Sequence, residues 1–276
     1  MIRRDRRGRL SREFLLALGG CDRPDWAVRR GIMLQRQMDA QLCVLSLRAR
    51  DRRLDGLAAA IGVWEDERRI DTARWARVTA ELADTSDYRL LLVGHASRKT
   101  VRDHLLGTEV ERLLRVSSRP VLVVKAKPIK PYRTALAATN LTPSSFAAAL
   151  VASRLFPGIR LQLVSSIHAP FKGFLDRETM LPELRTERMA AMRSSALRLA
   201  QAARRRVSAG LIDGDFPFAI PAKAQAAGAD LLVVGCRSRG ILQSWRRPWA
   251  LDLVEASAVD VLVVPHPQPE AAEDGL

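Results

Sequence analysis

Cysteines, aromatic residues and long apolar runs are scarce in this sequence of 276 residues. Its three cysteines, Cys21, Cys43 and Cys236, lie far apart, and an odd number of distant thiols predicts neither a disulfide framework nor a zinc site. Aromatic residues make up 5% of the chain, which argues against a stacking surface for single-stranded nucleic acid. No apolar run approaches the roughly 20 residues that a membrane-spanning helix needs. We therefore expect a protein of the reducing cytoplasm, with no membrane as partner.

Positive charge, by contrast, is abundant. The net charge is +15, and part of the excess lies in an opening segment that carries Arg3, Arg4, Arg6, Arg7, Arg9 and Arg12. Such a cluster either binds the phosphate backbone of a nucleic acid or forms a solvated tail. Because no aromatic residues interleave with it, we favour the tail and do not expect nucleic acid as a partner. Residues 14–21 weakly resemble a secretion signal that ends in a lipid-modified cysteine, but they fit a first strand better.

Short apolar runs alternate with helical patterns along the chain. We predict strands at residues 14–18, 42–47, 61–64, 90–93, 121–124, 134–139, 161–165, 211–212, 231–234 and 261–264. The predicted helices lie at residues 25–38, 49–60, 72–82, 142–155, 183–206 and 220–227, with a further one that starts at residue 108. Continuous apolar strands separated by helices are typical of an α/β fold with a parallel sheet covered on both faces.

The stretch 90–125 returns late in the chain as residues 231–265, with the same apolar strand, glycine, helix and terminal VLVV. A repeat at that spacing predicts two copies of one fold, and we place the domains at residues 12–127 and 131–267. The lysines and prolines of residues 127–131 form the predicted linker. The second copy carries an insertion around residues 168–184.

The segment that follows the strand at 90–93 has the spacing of an anion-binding turn. Gly94, Ser97 and Gly107 precede Thr108, which begins a T-x-x-E capping box with Glu111. The glycine at 107 allows close approach of a phosphate, and the free N–H groups of a helix start favour an anion. Because ligands of open parallel sheets bind at the carboxyl ends of the strands, we predict a phosphate site here.

Residues 94–125 resemble the signature of the universal stress proteins, Gly-x2-Gly-x9-Gly-Ser/Thr followed by a helix and a P-V-L-V-V strand. The resemblance extends over nearly the whole chain as two tandem copies. It implies two five-stranded parallel-sheet domains of the adenine-nucleotide alpha-hydrolase-like, or Rossmann-like, type. Some family members bind ATP and others do not. The family also pairs its fifth strands, which implies internal self-association through Val121 to Val124 and Val261 to Val264.

The departures from the family pattern differ between the copies. In the first copy Gly19 stands where the ATP binders place an aspartate, and Ser97 replaces the middle glycine. In the second copy Asn140 takes the place of that aspartate and Gly235 is kept, but the spacing of the Gly-Ser pair falls on Pro248 and its neighbours. We expect Trp249 to fill the anion-binding turn there. The predicted nucleotide-binding residues are Gly94, Ser97, Gly107, Thr108, Gly19, Asn140 and Gly235, with ATP as a ligand of the first copy.

The resemblance favours a non-enzymatic protein that acts in the stress response through ligand binding. One alternative is a ligand-free scaffold with degenerate pockets. Another is an ATP-using hydrolase or adenylating enzyme, since Gly19-Gly20-Cys21-Asp22 partly matches the S-G-G-x-D-S loop of ATP pyrophosphatases. Residues 236–240 nearly form a nucleophile elbow but lack its first glycine. The four histidines show no metal spacing, so we expect neither catalytic residues nor a metal.

Overall fold

The computed structural model describes residues 13–18, 22–38, 40–46, 65–66, 77, 79–81, 88–96, 108–167, 180–237 and 249–266. The chain forms two compact units, Met1–Pro131 and Tyr132–Leu276, called unit 1 and unit 2 below. The division falls next to residue 131, where the sequence predicts the second domain to begin. None of the helices in these ranges is both long enough and apolar enough to cross a membrane.

Unit 1 is a parallel α/β unit. Its described strands are β1 (Glu13–Leu18), β2 (Gln41–Ser46), β3 (Glu65–Asp66), β4 (Leu90–Gly94) and β5 (Val121–Val124). They lie in the order β3-β2-β1-β4-β5, and each neighbouring pair is parallel. The described helices are α1 (Pro24–Met38) and α2 (Glu109–Val116). The predicted parallel α/β fold is confirmed, and β4 and β5 are buried along their whole length, as their continuous apolar sequences require.

Some predicted elements of unit 1 differ from the structure or fall outside it. The described part of the third strand is Glu65–Asp66, and residues 61–64, where the sequence predicts this strand, lie outside the described ranges. The predicted helix at residues 49–60 lies outside the described ranges. Residues 77 and 79–81, from the predicted helix at 72–82, are helical.

Unit 2 repeats this plan with more of its chain described. Its strands are β6 (Thr134–Ala138), β7 (Arg160–Ile167), β8 (Val207–Asp213), β9 (Leu231–Arg237) and β10 (Asp260–His266). The order is β10-β9-β6-β7-β8, again with parallel neighbours. The helices are α3 (Pro143–Leu155), α4 (Met180–Ala203), α5 (Phe216–Ala226) and α6 (Trp249–Ala256). Strand β8 begins at Val207, before residue 211 where the sequence predicts its start, and α4 begins before residue 183.

The exits from α2 and α6 use the same turn. Ser117 Oγ donates to the carbonyl of Arg119 at 2.9 Å and accepts from its N–H at 3.1 Å. Ser257 Oγ makes the same two bonds to Val259, at 2.9 and 3.2 Å. The sequence repeat is therefore matched by a repeat of local geometry at the entrance to β5 and β10.

The amino-terminal edge of the sheet in unit 2 is closed by structural hydrogen bonds. Asp230 Oδ2 accepts from the backbone N–H groups of residues 133 and 134, at 2.9 and 3.0 Å. Tyr132, which packs edge-on against Phe156, donates its hydroxyl to the buried Asp260. These carboxylates tie the starts of the strands together, and in open parallel sheets ligands bind at the opposite, carboxyl edge.

Candidate functional site

The crevice of unit 1 lies between β1 and β4, where the strand order reverses. From β1 the chain continues to β2 on one side, whereas β4 pairs with β1 on the other. The backbone N–H of Asp22, just after β1, donates to the carbonyl of His95 at 2.9 Å, and the His95 N–H donates to the carbonyl of Val124 at 2.9 Å. The predicted site residue Gly94 ends β4 and is buried. These bonds fix the carboxyl ends of β1, β4 and β5 around one position, which is the usual ligand position in such sheets.

The helix that follows this crevice begins with the predicted capping box. The Glu111 N–H donates to Thr108 Oγ1 at 3.2 Å, and the Thr108 N–H donates to the Glu111 carboxylate at 3.1 Å. Both side chains are buried, with 4% and 8% of their surface exposed. The box engages the N–H groups of residues 108 and 111, so those of residues 109 and 110 stay outside it. Donors of this kind at a helix start favour an anion.

Three predicted site residues, Gly19, Ser97 and Gly107, lie outside the residues that the structure describes. Their part in a nucleotide site stays a prediction. The described members of the predicted site in unit 1, Gly94 and Thr108, are the end of β4 and the N-cap of α2.

The corresponding edge of unit 2 carries a network of hydroxyl groups. Asn140 Oδ1 accepts from Thr142 Oγ1 at 2.6 Å and from the Thr142 N–H at 3.3 Å. Thr139 Oγ1 lies 2.8 Å from Ser145 Oγ and accepts from the N–H of Leu141, whose φ of 66° is left-handed. Thr142 is the N-cap of α3, as predicted, but its side chain makes no capping bond. The Asn140 side chain thus shapes a local turn through its carbonyl oxygen.

Gly235 has a packing role that the sequence did not reveal. A Cβ at this position would lie 2.5 Å from the carbonyl oxygen of Ser144 and 3.0 Å from the N of Ser145. The residue therefore lets β9 approach the first turn of α3 closely, and that approach alone accounts for a glycine here. Its predicted role as a nucleotide-binding residue stays a prediction.

The start of α6 differs from the start of α2. Pro248 lies outside the described residues, and Trp249 opens the helix with 60% of its surface exposed. Its ring packs edge-on against Phe216, with a centroid distance of 5.3 Å. The rest of that turn, residues 238–248, lies outside the described ranges, so the expectation that Trp249 fills it stays a prediction.

Two arginines of α4 reach the carboxyl edge of unit 2 and were missed from the sequence. Arg188 Nη2 donates to Ser165 Oγ, near the end of β7, at 3.2 Å. Arg185 forms an ion pair with Asp213, the last residue of β8. Their spacing of three residues places them on one face of a helix, and this was the signal available in the sequence.

Within the described residues, the structure gives no support to the remaining candidates for a catalytic nucleophile or a metal site. Burial raises the pKa of the Cys236 thiol, which keeps it protonated and weakly nucleophilic at neutral pH. No group of three metal-ligating side chains is found within the described part of the chain.

Comparisons with known proteins agree with this architecture. A model of the universal stress protein family matches residues 11–125. A universal stress protein from Archaeoglobus fulgidus, 15% identical, covers 92% of this chain and 96% of its own length with a TM-score of 0.60. A protein of unknown function from Pseudomonas aeruginosa, 17% identical, covers 92% of both chains with a TM-score of 0.63.

Other solved structures match a smaller share of the chain. A universal stress protein solved in complex with cAMP covers 49% of this chain at 20% identity, with a TM-score of 0.39. A match at this TM-score carries no argument about fold, ligand or activity, and the two longer matches, at under 25% identity, show the fold alone. None of the curated proteins matches the chain.

Proposed function

We propose that the chain acts in the cytoplasmic stress response by binding a nucleotide and not by catalysing a reaction. The premise is that the chain belongs to the universal stress protein family, whose model matches residues 11–125. The ligand-binding unit is unit 1, and ATP is the proposed ligand. Unit 2 is the second copy of the same five-stranded fold.

The observation that carries this proposal is the formed capping box of Thr108 and Glu111. In a β-α-β unit the helix after β4 starts at the carboxyl edge of the sheet, so α2 directs its free N–H groups toward that edge. The backbone bonds from Asp22 to His95 and from His95 to Val124 hold the neighbouring strand ends in place. A strand end and a helix start that are already in place lower the ordering cost of binding a phosphate group between them.

Self-association through the fifth strands is part of the proposal. The sequences of Val121–Val124 and of residues 261–264 are wholly apolar, and an apolar strand edge left open invites pairing with another strand. We propose that each of these strands covers the other within one chain, so that the chain forms an internal pseudo-dimer.

The alternative function is a ligand-free scaffold, and the observations that favour it come from unit 2. There Gly235 is explained by packing and Asn140 by its turn. An ATP-using enzyme is the weaker alternative, since Leu18 and Arg23 stand where the S-G-G-x-D-S loop of ATP pyrophosphatases has its two serines.

Thermal unfolding with ATP and ADP tests the proposal. A ligand that binds only the folded state stabilises it by RT ln(1 + [L]/Kd), which is about 2.7 kcal/mol at a hundredfold excess over Kd. We expect ATP to raise the Tm of the wild-type chain and of Pro248→Val, and to have no effect on Gly107→Val, whose side chain would occupy the phosphate position.

No shift with millimolar nucleotide in the wild type would support the scaffold, and release of pyrophosphate would support the enzyme. Equal loss of the shift in both variants would contradict the assignment of the pocket to unit 1.

A further inference from the structure

The guanidinium of Arg188 lies at the carboxyl edge of unit 2 in a partly buried position. It donates to Ser165 Oγ, which belongs to a residue with 1% of its surface exposed. Ser165 is beside Thr139 in the sheet, because Ala138 pairs with Val164 and the Thr139 N–H donates to the Val164 carbonyl at 2.9 Å. Arg188 is therefore held where β6 and β7 end.

The charge of Arg188 is not compensated by the described residues around it. Ser165 is its one hydrogen-bond partner among them, and no carboxylate in the described ranges lies within ion-pair distance. Asp213, the acidic residue at the end of β8, is already paired with Arg185. On the helix itself, the residues three and four positions away include no carboxylate.

A partly buried guanidinium with one hydroxyl partner has four further N–H donors available. Removing such a group from water without a counter-charge is unfavourable, and a planar fork of donors matches the oxygens of a phosphate. Ser165 accepts from Arg188 and keeps its own hydroxyl hydrogen, whereas the hydroxyl of the neighbouring Thr139 is bonded to Ser145. The Ser165 hydroxyl and the remaining guanidinium N–H groups suit the oxygens of a tetrahedral anion.

We propose that unit 2 has a phosphate-binding site of its own, centred on Arg188 and bordered by Ser165 and Thr139. Its ligand is a phosphate group, free or carried by a small phosphomonoester. The site does not use the glycine-rich turn and is separate from the nucleotide site proposed for unit 1. Arg188 of α4 supplies the cation at this edge, in the copy whose sequence lacks the Gly-Ser pair.

Calorimetric titration of the full-length chain tests this site, with Gly107→Val as the background so that unit 1 does not contribute. The probes are inorganic phosphate, AMP and adenosine. We expect phosphate and AMP to bind and adenosine not to bind. Adding Arg188→Gln should weaken phosphate binding by at least about tenfold, since bonds from a charged donor are lost.

Arg193→Gln is the matched control, because it removes the same charge from an exposed position of the same helix. It should change phosphate affinity by less than about twofold, as exposed charges are well screened. Arg188→Lys keeps the charge but loses the fork, so it should bind phosphate with intermediate affinity. Binding of AMP but not of inorganic phosphate would assign the ligand to the phosphomonoester.

The proposal is overturned if the Gly107→Val chain binds neither phosphate probe, or if Arg188→Gln and Arg193→Gln weaken binding equally. Circular dichroism and Tm establish that each variant is folded. If Arg188→Gln does not fold, Ser165→Ala serves instead, because it frees the guanidinium from its anchor; unchanged phosphate binding in that variant would also overturn the site. If ATP did not raise the Tm of the wild-type chain, the nucleotide site proposed for unit 1 would fail, but the measurement of phosphate binding at Arg188 would still hold.

Discussion

Units 1 and 2 share their strand order but differ at the carboxyl edges of their sheets. In unit 1 the edge ends in a capped helix, with Thr108 and Glu111 bonded to each other. In unit 2 the equivalent helix opens on an exposed Trp249, and the charge at the edge comes from Arg188 on α4 instead. The turns after α2 and α6, by contrast, are the same bond for bond. Separate residues therefore determine the shared scaffold and the carboxyl edge of each sheet.

The largest effects should come from the core, where we expect the two units to be alike. Leu122 in β5 and Leu262 in β10 are both fully buried. Replacing either by alanine removes buried methyl groups and leaves a cavity, so each change should lower the free energy of unfolding by about 2–5 kcal/mol. Urea denaturation of the two variants measures this.

Similar losses in both variants would support equivalent cores. A loss of less than 1 kcal/mol in the free energy of unfolding of one variant would contradict this equivalence. The strand concerned would then be less tightly packed than the corresponding strand of the other unit.

The scaffold could be predicted from the sequence because its signals are local. Strands β4 and β5 are continuous apolar runs, Thr142 followed by Pro143 marks the start of α3, and the T-x-x-E pattern marks the start of α2. Each of these signals depends on neighbours a few residues away.

The residues that could not be predicted depend on contacts between distant segments. The sequence alone favours a ligand-binding role for Gly235. Its close approach to Ser144, 91 positions earlier in the chain, appears only in the structure. The sequence does not single out Arg188, because its hydrogen bond to Ser165 joins residues that are 23 positions apart. Strand β8 mixes small, polar and apolar residues because it is only half buried, so its sequence lacks the apolar run of a central strand.

The packing role of Gly235 gives a second prediction, of intermediate size. Gly235→Ala would place a methyl group against backbone atoms of α3 that cannot rotate away, and we expect a loss of about 1–3 kcal/mol in stability. Gly158→Ala is the control in the same unit, because a Cβ there meets nothing within 4 Å. It should leave stability unchanged or raise it by a few tenths of a kcal/mol through the unfolded state. A neutral Gly235→Ala would contradict the packing role, since α3 would then be able to move away from the added methyl group.

The smallest predicted effect separates the two helix starts. Thr108→Ala removes the side chain that caps α2, and it should cost about 1 kcal/mol. Thr142→Ala removes a hydroxyl that bonds to the exposed Asn140 but does not cap α3, so we expect less than about 0.5 kcal/mol. Thr108→Ser keeps the capping oxygen and should recover most of the loss in chemical denaturation. If Thr142→Ala cost as much as Thr108→Ala, the two helix starts would be equivalent in energy despite their different bonds. The asymmetry on which the nucleotide site proposed for unit 1 depends would then lose its physical basis.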